Sequence, residues 1–137
     1  VSHNYLTKIN IQQARNEIFD SKKLWQDALG KDVPKFCYPR GYANTIVKML
    51  VKNAGYTHAR STQVGALDEG ADPLFVPTTV HVGVDRVQYE NKSWELFARE
   101  MFEKSAADSL YHIMGHSWEI DEFGDWDNLE TLLKEIT

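Results

Sequence analysis

Hydrophobic residues in this chain follow a helical spacing in four segments and a strand spacing in the stretches between them. The helical segments are residues 11–28, 46–54, 94–102 and 129–136. Because apolar positions recur there every three or four residues, we expect four helices. Asn10 precedes the first segment and Gly30 follows it. Both residue types cap helix ends, so they set the expected limits of the first helix.

Short apolar runs bounded by turn-forming residues predict the strands. These runs lie at 35–38, 56–61 and 110–115, with further extended segments within 74–84. Residues 62–73 are polar and predict a loop. A second loop is expected after residue 115, where a group of acidic residues indicates a solvent-exposed segment. Asp125 is predicted to cap the last helix. Strands that alternate with helices favour an α/β fold with a mostly parallel sheet.

The length of the chain limits how complete such a fold can be. An eight-stranded (β/α) barrel typically needs about 250 residues, whereas this chain has 137. We therefore expect residues 1–137 to form a single domain that is an open sheet or a partial (β/α) barrel. Hydrophobic residues make up 42% of the chain, which is enough for a core.

Charge and composition exclude several classes of partner. The net charge is −5 with both signs interspersed, so no basic surface for nucleic acid stands out. No apolar run approaches the roughly 20 residues of a membrane span. The single cysteine, Cys37, excludes an internal disulfide framework. Val1 is not an initiator methionine and no signal peptide opens the chain, so we expect the start to be cut or processed.

Two strand ends carry residues that could perform chemistry. His116 follows the strand at 110–115, and the carboxyl ends of parallel strands are where such folds place their active sites. A histidine there could act as a general acid or base, or simply pack beside Trp118. The turn Pro39–Gly41 follows the strand at 35–38, where its backbone N–H groups could stabilise an oxyanion or merely shape an ordinary turn.

The remaining histidines offer weaker signals. His3 stands alone near the start, and a zinc site needs three or four ligands. His58 and His81 lie in or beside strands, with no carboxylate or second histidine at ligand spacing. We therefore interpret His58 and His81 as structural residues.

Four short segments, taken in order, resemble polysaccharide deacetylases of the NodB-like type, carbohydrate esterase family 4. Residues 2–9 read S-H-N-Y-L-T-K-I and resemble S-H-P-x-L-T-K-L. Residues 36–41 read F-C-Y-P-R-G and resemble F-R-P-P-Y-G. Residues 54–59 resemble A-G-Y-x-x-A, and residues 115–121 read G-H-S-W-E-I-D, as in family members that end a hydrophobic strand this way.

The resemblance implies a metal-dependent hydrolase that removes N-acetyl groups from a polysaccharide or a glycan precursor. His3 matches a metal-binding histidine of the family, and zinc is the expected divalent ion. His116 would protonate the leaving amine, and the backbone N–H of Arg40 would help to hold the oxyanion. The residues that would contact the sugar are Tyr38, Pro39 and Trp118.

The chain also departs from the family pattern. The T-F-D-D segment and the first histidine of H-S/T-x-x-H would precede Val1, so one of three expected metal ligands is present. Cys37 and Arg40 replace the arginine and tyrosine of the family motif. We therefore expect an incomplete metal site, an inactive isolated chain, and an exposed sheet edge through which it could associate. A catalytically inactive carbohydrate-binding module, or an amidohydrolase acting on a non-sugar amide, stays open as an alternative.

Overall fold

The computed structural model describes residues 2–137, which form two compact units. The N-terminal unit comprises residues up to 62 together with Gly70–Val76. The C-terminal unit comprises Gln63–Glu69 and Pro77–Thr137. The expectation of a single domain over residues 1–137 stays a prediction, and Val1 lies outside the described residues.

The N-terminal unit packs two helices against a short parallel sheet. Its elements are α1 (Ile11–Leu29), β1 (Lys35–Cys37), the 3-10 turn Pro39–Gly41, α2 (Thr45–Asn53) and β2 (His58–Arg60). Strands β1 and β2 pair in parallel, with Phe36 opposite Ala59. Ile18 and Val51 are fully buried and belong to the core of this unit.

Helix α1 has the predicted ends but not the predicted buried face. The Asn10 side chain accepts a hydrogen bond from the Gln13 N–H at 2.9 Å, and Gly30 ends the helix with a φ of 64°. Ala14 and Ile18 are buried as the spacing predicts. Ile11 and Trp25 are instead 58% and 55% exposed. The helical spacing therefore identified the helix, but the buried face is narrower than the apolar face that the spacing predicts.

The C-terminal unit also combines parallel strands with helices. Its elements are β3 (Val80–His81), the 3-10 turn Val87–Tyr89, α3 (Trp94–Glu103), β4 (Ile113–Met114), α4 (Ser117–Phe123) and α5 (Trp126–Ile136). Strands β3 and β4 pair in parallel, with His81 opposite Met114. Val80, Trp94 and Leu132 belong to its buried core.

The segment after β4 corrects the sequence prediction. The expected strand at 110–115 is reduced to Ile113–Met114, and the expected loop contains helix α4, which ends at Gly124. This seven-residue helix buries only Ile120, and two turns are too short to establish a helical apolar period in the sequence. Asp125 precedes α5 but makes no capping bond, because its carboxylate accepts from Trp94 Nε1 at 3.1 Å and from Asn128 Nδ2 at 2.8 Å.

The pairing confirms the predicted α/β class with parallel strands. Within residues 2–137 the strands form two separate two-stranded sheets, and no closed barrel is present. None of the helices in these residues is both long and apolar enough to cross a membrane.

Candidate functional site

His116 occupies the junction between β4 and α4 and faces a carboxylate one helical turn away. Its Nδ1 lies 2.7 Å from Glu119 Oε2, and the two residues are three positions apart. Residues at this spacing lie on one face of a helix. The His116 side chain is 46% exposed and that of Glu119 is 13% exposed. The histidine is thus held by a part-buried acid while it stays accessible to solvent.

A second histidine reaches the same carboxylate oxygen from the neighbouring strand. His81 is the last residue of β3, and its Nε2 lies 2.7 Å from Glu119 Oε2. The parallel pairing of β3 with β4 brings the ends of both strands to the same edge. The rings of His81 and His116 stand 5.6 Å apart. We call His81, His116 and Glu119 the histidine–glutamate cluster.

Arg86 fixes the tautomer of His81. Its Nη2 hydrogen-bonds to His81 Nδ1. A guanidinium has donors and no acceptor, so Nδ1 must accept and Nε2 must carry the proton. The Nε2–H then donates to Glu119. Arg86 Nε is buried without a hydrogen-bond partner in the described part of the chain.

Burial and charge keep this pair in complementary protonation states. Burial lowers the pKa of His81, the charge of Arg86 lowers it further, and the hydrogen bond to Glu119 opposes both effects. Burial raises the pKa of Glu119, but hydrogen bonds from His116 and His81 outweigh it, and the net shift is downward. Near neutral pH, His81 is therefore neutral and Glu119 is ionised.

The histidine–glutamate cluster also has the composition of a metal site. Among the described residues it is the group of three side chains that could hold an ion, with its ligand atoms within 4.8 Å of one another. Two histidines and a glutamate form a known catalytic zinc set. A metal-binding histidine, however, usually donates its second N–H to an acceptor. Arg86 occupies that place with a donor, so the present hydrogen bonds do not fit a metal on His81 Nε2.

His3 lies in the N-terminal unit, in a cleft of about 270 Å³ that Cys37 and Pro39 also line. Cys37 Sγ accepts a hydrogen bond from Arg60 Nη2 at 3.3 Å. Within residues 2–137, no group of three potential metal ligands includes His3. The sequence predicts an incomplete metal site with His3 as its one ligand, and the described residues do not complete it.

The turn at Pro39–Gly41 is conformationally demanding. The Gly41 N–H donates to the Tyr38 carbonyl at 2.8 Å, and Arg40 adopts a φ of 62°. A Cβ on Gly41 would lie 2.0 Å from Thr62 Oγ1, so only glycine fits there. A left-handed non-glycine residue costs about 1 kcal/mol or more, and such residues concentrate at functional sites. This conformation sets the direction of the Arg40 backbone N–H.

The two aromatic residues predicted to contact sugar have opposite environments. Tyr38 is 1% exposed, and its hydroxyl donates to the Leu74 carbonyl at 2.7 Å. Burial raises the pKa of this hydroxyl. The predicted contact of Tyr38 with sugar would require this side chain to become accessible. Trp118 is 59% exposed, and its ring lies 5.8 Å from that of His116.

Sequence reasoning missed two of the three residues of the cluster, His81 and Glu119. The sequence has no carboxylate or second histidine at ligand spacing from His81 and predicts a structural residue there, whereas the fold brings Glu119 and His116 next to it. Glu119 could have been found from its three-residue spacing to His116 at the start of a helix. His81 and Arg86 gave no such signal, because their contacts depend on strand pairing.

Comparisons with known proteins support the predicted family resemblance. Residues 1–59 match the model of a family described as polysaccharide deacetylase. The structure of the Streptococcus pyogenes deacetylase PplD in complex with acetate is similar, with a TM-score of 0.55 and 20% identity. That similarity covers 58% of this chain and 35% of the other, so the chain matches about a third of that protein. No curated protein sequence matches the chain. Residues 1–59 are thus similar to polysaccharide deacetylases, and the fold of this chain is similar to that of a solved deacetylase.

Proposed function

We propose that the protein carrying this chain hydrolyses N-acetyl groups on a polysaccharide or a glycan precursor, with His116 as the proton donor. The observation that carries this proposal is the environment of His116. Its Nδ1 is held by Glu119, its side chain is half exposed, and it follows a parallel strand in a deacetylase-like chain. Among the described residues, Nε2 makes no hydrogen bond and is free to face a substrate.

Amide hydrolysis needs such a donor. Water adds to the acetyl carbon, the C–N bond breaks, and acetate and a free amine leave. An amine anion is too basic to depart, so the nitrogen must be protonated as the bond breaks. In this proposal His116 Nε2–H gives that proton. The nucleophilic water supplies the proton that restores His116.

Two further roles follow from the family resemblance. The backbone N–H of Arg40 would donate to the developing oxyanion, supported by the fixed turn at Pro39–Gly41. Pro39 and the exposed ring of Trp118 would contact the sugar. Tyr38 is left out because its side chain is buried. The partial (β/α) barrel stays part of the proposal, supported by parallel pairing in both units.

The family resemblance also implies a divalent metal ion bound by His3. The described residues do not complete a site around His3, so no step of the reaction is assigned to a metal. We propose that His3 supplies one ligand of a divalent ion, with zinc as the first to test. The other ligands would come from outside the described residues.

The test is acetate release by the full-length protein from N-acetylglucosamine oligomers. His116→Ala should lower kcat by roughly 10²–10⁴-fold, the usual contribution of a general acid. His58→Asn is the matched control, because His58 lies on β2 and outside the proposed site. Glycan binding without acetate release would instead favour a carbohydrate-binding module, and hydrolysis of small cyclic amides alone would favour the non-sugar amidohydrolase.

A further inference from the structure

We propose that Glu119 and His81 are positioning residues for His116, and that Arg86 anchors them in a metal-free hydrogen-bonded relay. This inference rests on the role of His116 in the proposed function. It assigns the histidine–glutamate cluster to proton delivery and not to cation binding.

The donors and acceptors of the relay form a consistent series. Arg86 donates to His81 Nδ1, and His81 Nε2–H donates to Glu119 Oε2. His116 Nδ1 faces the same oxygen at 2.7 Å. An ionised carboxylate only accepts hydrogen bonds, so His116 Nδ1 must also carry a proton. Each ring nitrogen that faces a partner is therefore either a donor or an acceptor: His81 Nδ1 accepts, and His81 Nε2 and His116 Nδ1 donate.

This series leaves one ring nitrogen for chemistry. With Nδ1 protonated and bound to Glu119, His116 can gain or lose a proton only at Nε2. The carboxylate also faces the positive charge that His116 carries before it donates. An acid that orients a catalytic histidine and stabilises its imidazolium acts in this way in hydrolases. Glu119 on α4 interacts electrostatically with both His116 and His81 on β3, and Arg86 in the loop after β3 acts on His81.

His81 differs from an ordinary core histidine in what it supports. It is buried, and its backbone N–H donates to the Tyr89 hydroxyl at 2.8 Å, which holds the residue in place. Its side chain bridges Arg86 and Glu119. Because Arg86 places the His81 proton on Nε2, His81 donates that proton in a hydrogen bond to Glu119. Without His81, Glu119 would lose one of two donors and could rotate away from His116.

The first experiment reads the tautomers directly. Nitrogen-15 NMR of the full-length, histidine-labelled protein at about pH 8, above the usual titration range of histidine, reports which ring nitrogen is protonated. We expect Nε2–H on His81 and Nδ1–H on His116. Glu119→Gln should give mixed tautomers on His116. Arg86→Met should give mixed tautomers on His81, whereas Arg86→Lys keeps a donor and should preserve the pattern. An unchanged pattern in both Glu119→Gln and Arg86→Met would overturn the relay.

The second experiment uses kinetics. Glu119→Gln should lower kcat by at least about 10-fold, short of the loss on removing the acid itself, with little change in KM. His81→Gln should act in the same direction. If that buried substitution prevents folding, Arg86→Met answers the same question at a less buried residue. A normal kcat in Glu119→Gln would overturn the positioning role.

The third experiment separates the relay from a metal site. Zinc added to the wild-type protein should leave the ring signals of His81 and His116 unchanged. Tight zinc binding that shifts both signals and disappears in His116→Ala would overturn the proposal. The tautomer readout needs no turnover, so a wild-type protein with the expected tautomers and no acetate release would refute the proposed function and leave the relay standing.

Discussion

The N-terminal and C-terminal units differ in where recognisable sequence and clustered chemistry lie. The 59 residues that match the deacetylase family model end inside the N-terminal unit. The strands there pair over three residues each, against two in the C-terminal unit. The C-terminal unit lies beyond that match, yet it contains the histidine–glutamate cluster. The family match and the cluster therefore lie in different units, and only the segment at residues 115–121 links the predicted motifs to the cluster, through His116 and Glu119.

The largest expected effects come from the two cores. Ile18 in the N-terminal unit and Leu132 in the C-terminal unit are both 0% exposed. Truncation of either to alanine should lower the free energy of unfolding by about 3 kcal/mol, because lost burial and a cavity add together. Leu24→Ala is the control, since Leu24 is largely exposed. Denaturant unfolding measures all three, and an equal cost for Leu24→Ala would contradict the assigned cores.

Two left-handed glycines give the next comparison. Gly41→Ala should destabilise the protein by about 2–3 kcal/mol, because the new methyl group meets Thr62 and the backbone is strained. Gly124, after α4, has a φ of 69°, and a Cβ added there would meet no atom within 4 Å. Gly124→Ala should therefore cost only about 1 kcal/mol. Thermal unfolding of the two variants checks the order, which would fail if Gly124→Ala were the worse.

Mild acid should affect the two units differently. Because the pKa of His81 is lowered in the folded protein, protonation of this residue favours the unfolded state. The stability that neutral His81 contributes is therefore present above about pH 6.5 and is lost as the pH falls. In the N-terminal unit, the hydrogen bond from Ser2 lowers the pKa of Glu17. Protonation of Glu17 therefore reduces the stability of that unit only below about pH 4.3. Between about pH 7 and 5, the Val82 amide should lose exchange protection more than the Ala59 amide.

Those two amides are matched probes. Each donates a backbone hydrogen bond of 2.8 Å, Val82 to Met114 and Ala59 to Pro73. Their rates are compared after correction for the intrinsic effect of pH on exchange. His81→Gln should abolish the difference between them, and an equal loss of protection in the wild-type protein would contradict the prediction.

The smallest effects concern helix caps. Asn10→Ala should cost about 1 kcal/mol, because the Gln13 N–H loses its acceptor at 2.9 Å. Ser93 caps α3 through a longer contact of 3.4 Å with the Leu96 N–H. Ser93→Ala should therefore cost less than Asn10→Ala, and Asn10→Asp should retain the stability. Denaturant unfolding resolves the order, and a larger loss in Ser93→Ala would reverse it.

The sequence by itself determined the features that depend on close neighbours along the chain. Asn10 and Gly30 cap α1 as predicted, since a cap and its partner are about three residues apart. The parallel α/β class also followed from the alternation of periods. Helix α4 was not predicted because its seven residues are too few to establish a helical apolar repeat.

Only the tertiary structure decided which side chains meet. His81 and Glu119 are 38 positions apart, and they share a hydrogen bond because β3 pairs with β4 in one register. A shift of one residue would turn His81 to the opposite face of its strand. The same dependence on packing buries Tyr38 and exposes Trp25, although their residue types suggest neither outcome. The local sequence pattern thus determined most helices and strands, whereas the register between β3 and β4 determined which side chains form the histidine–glutamate cluster.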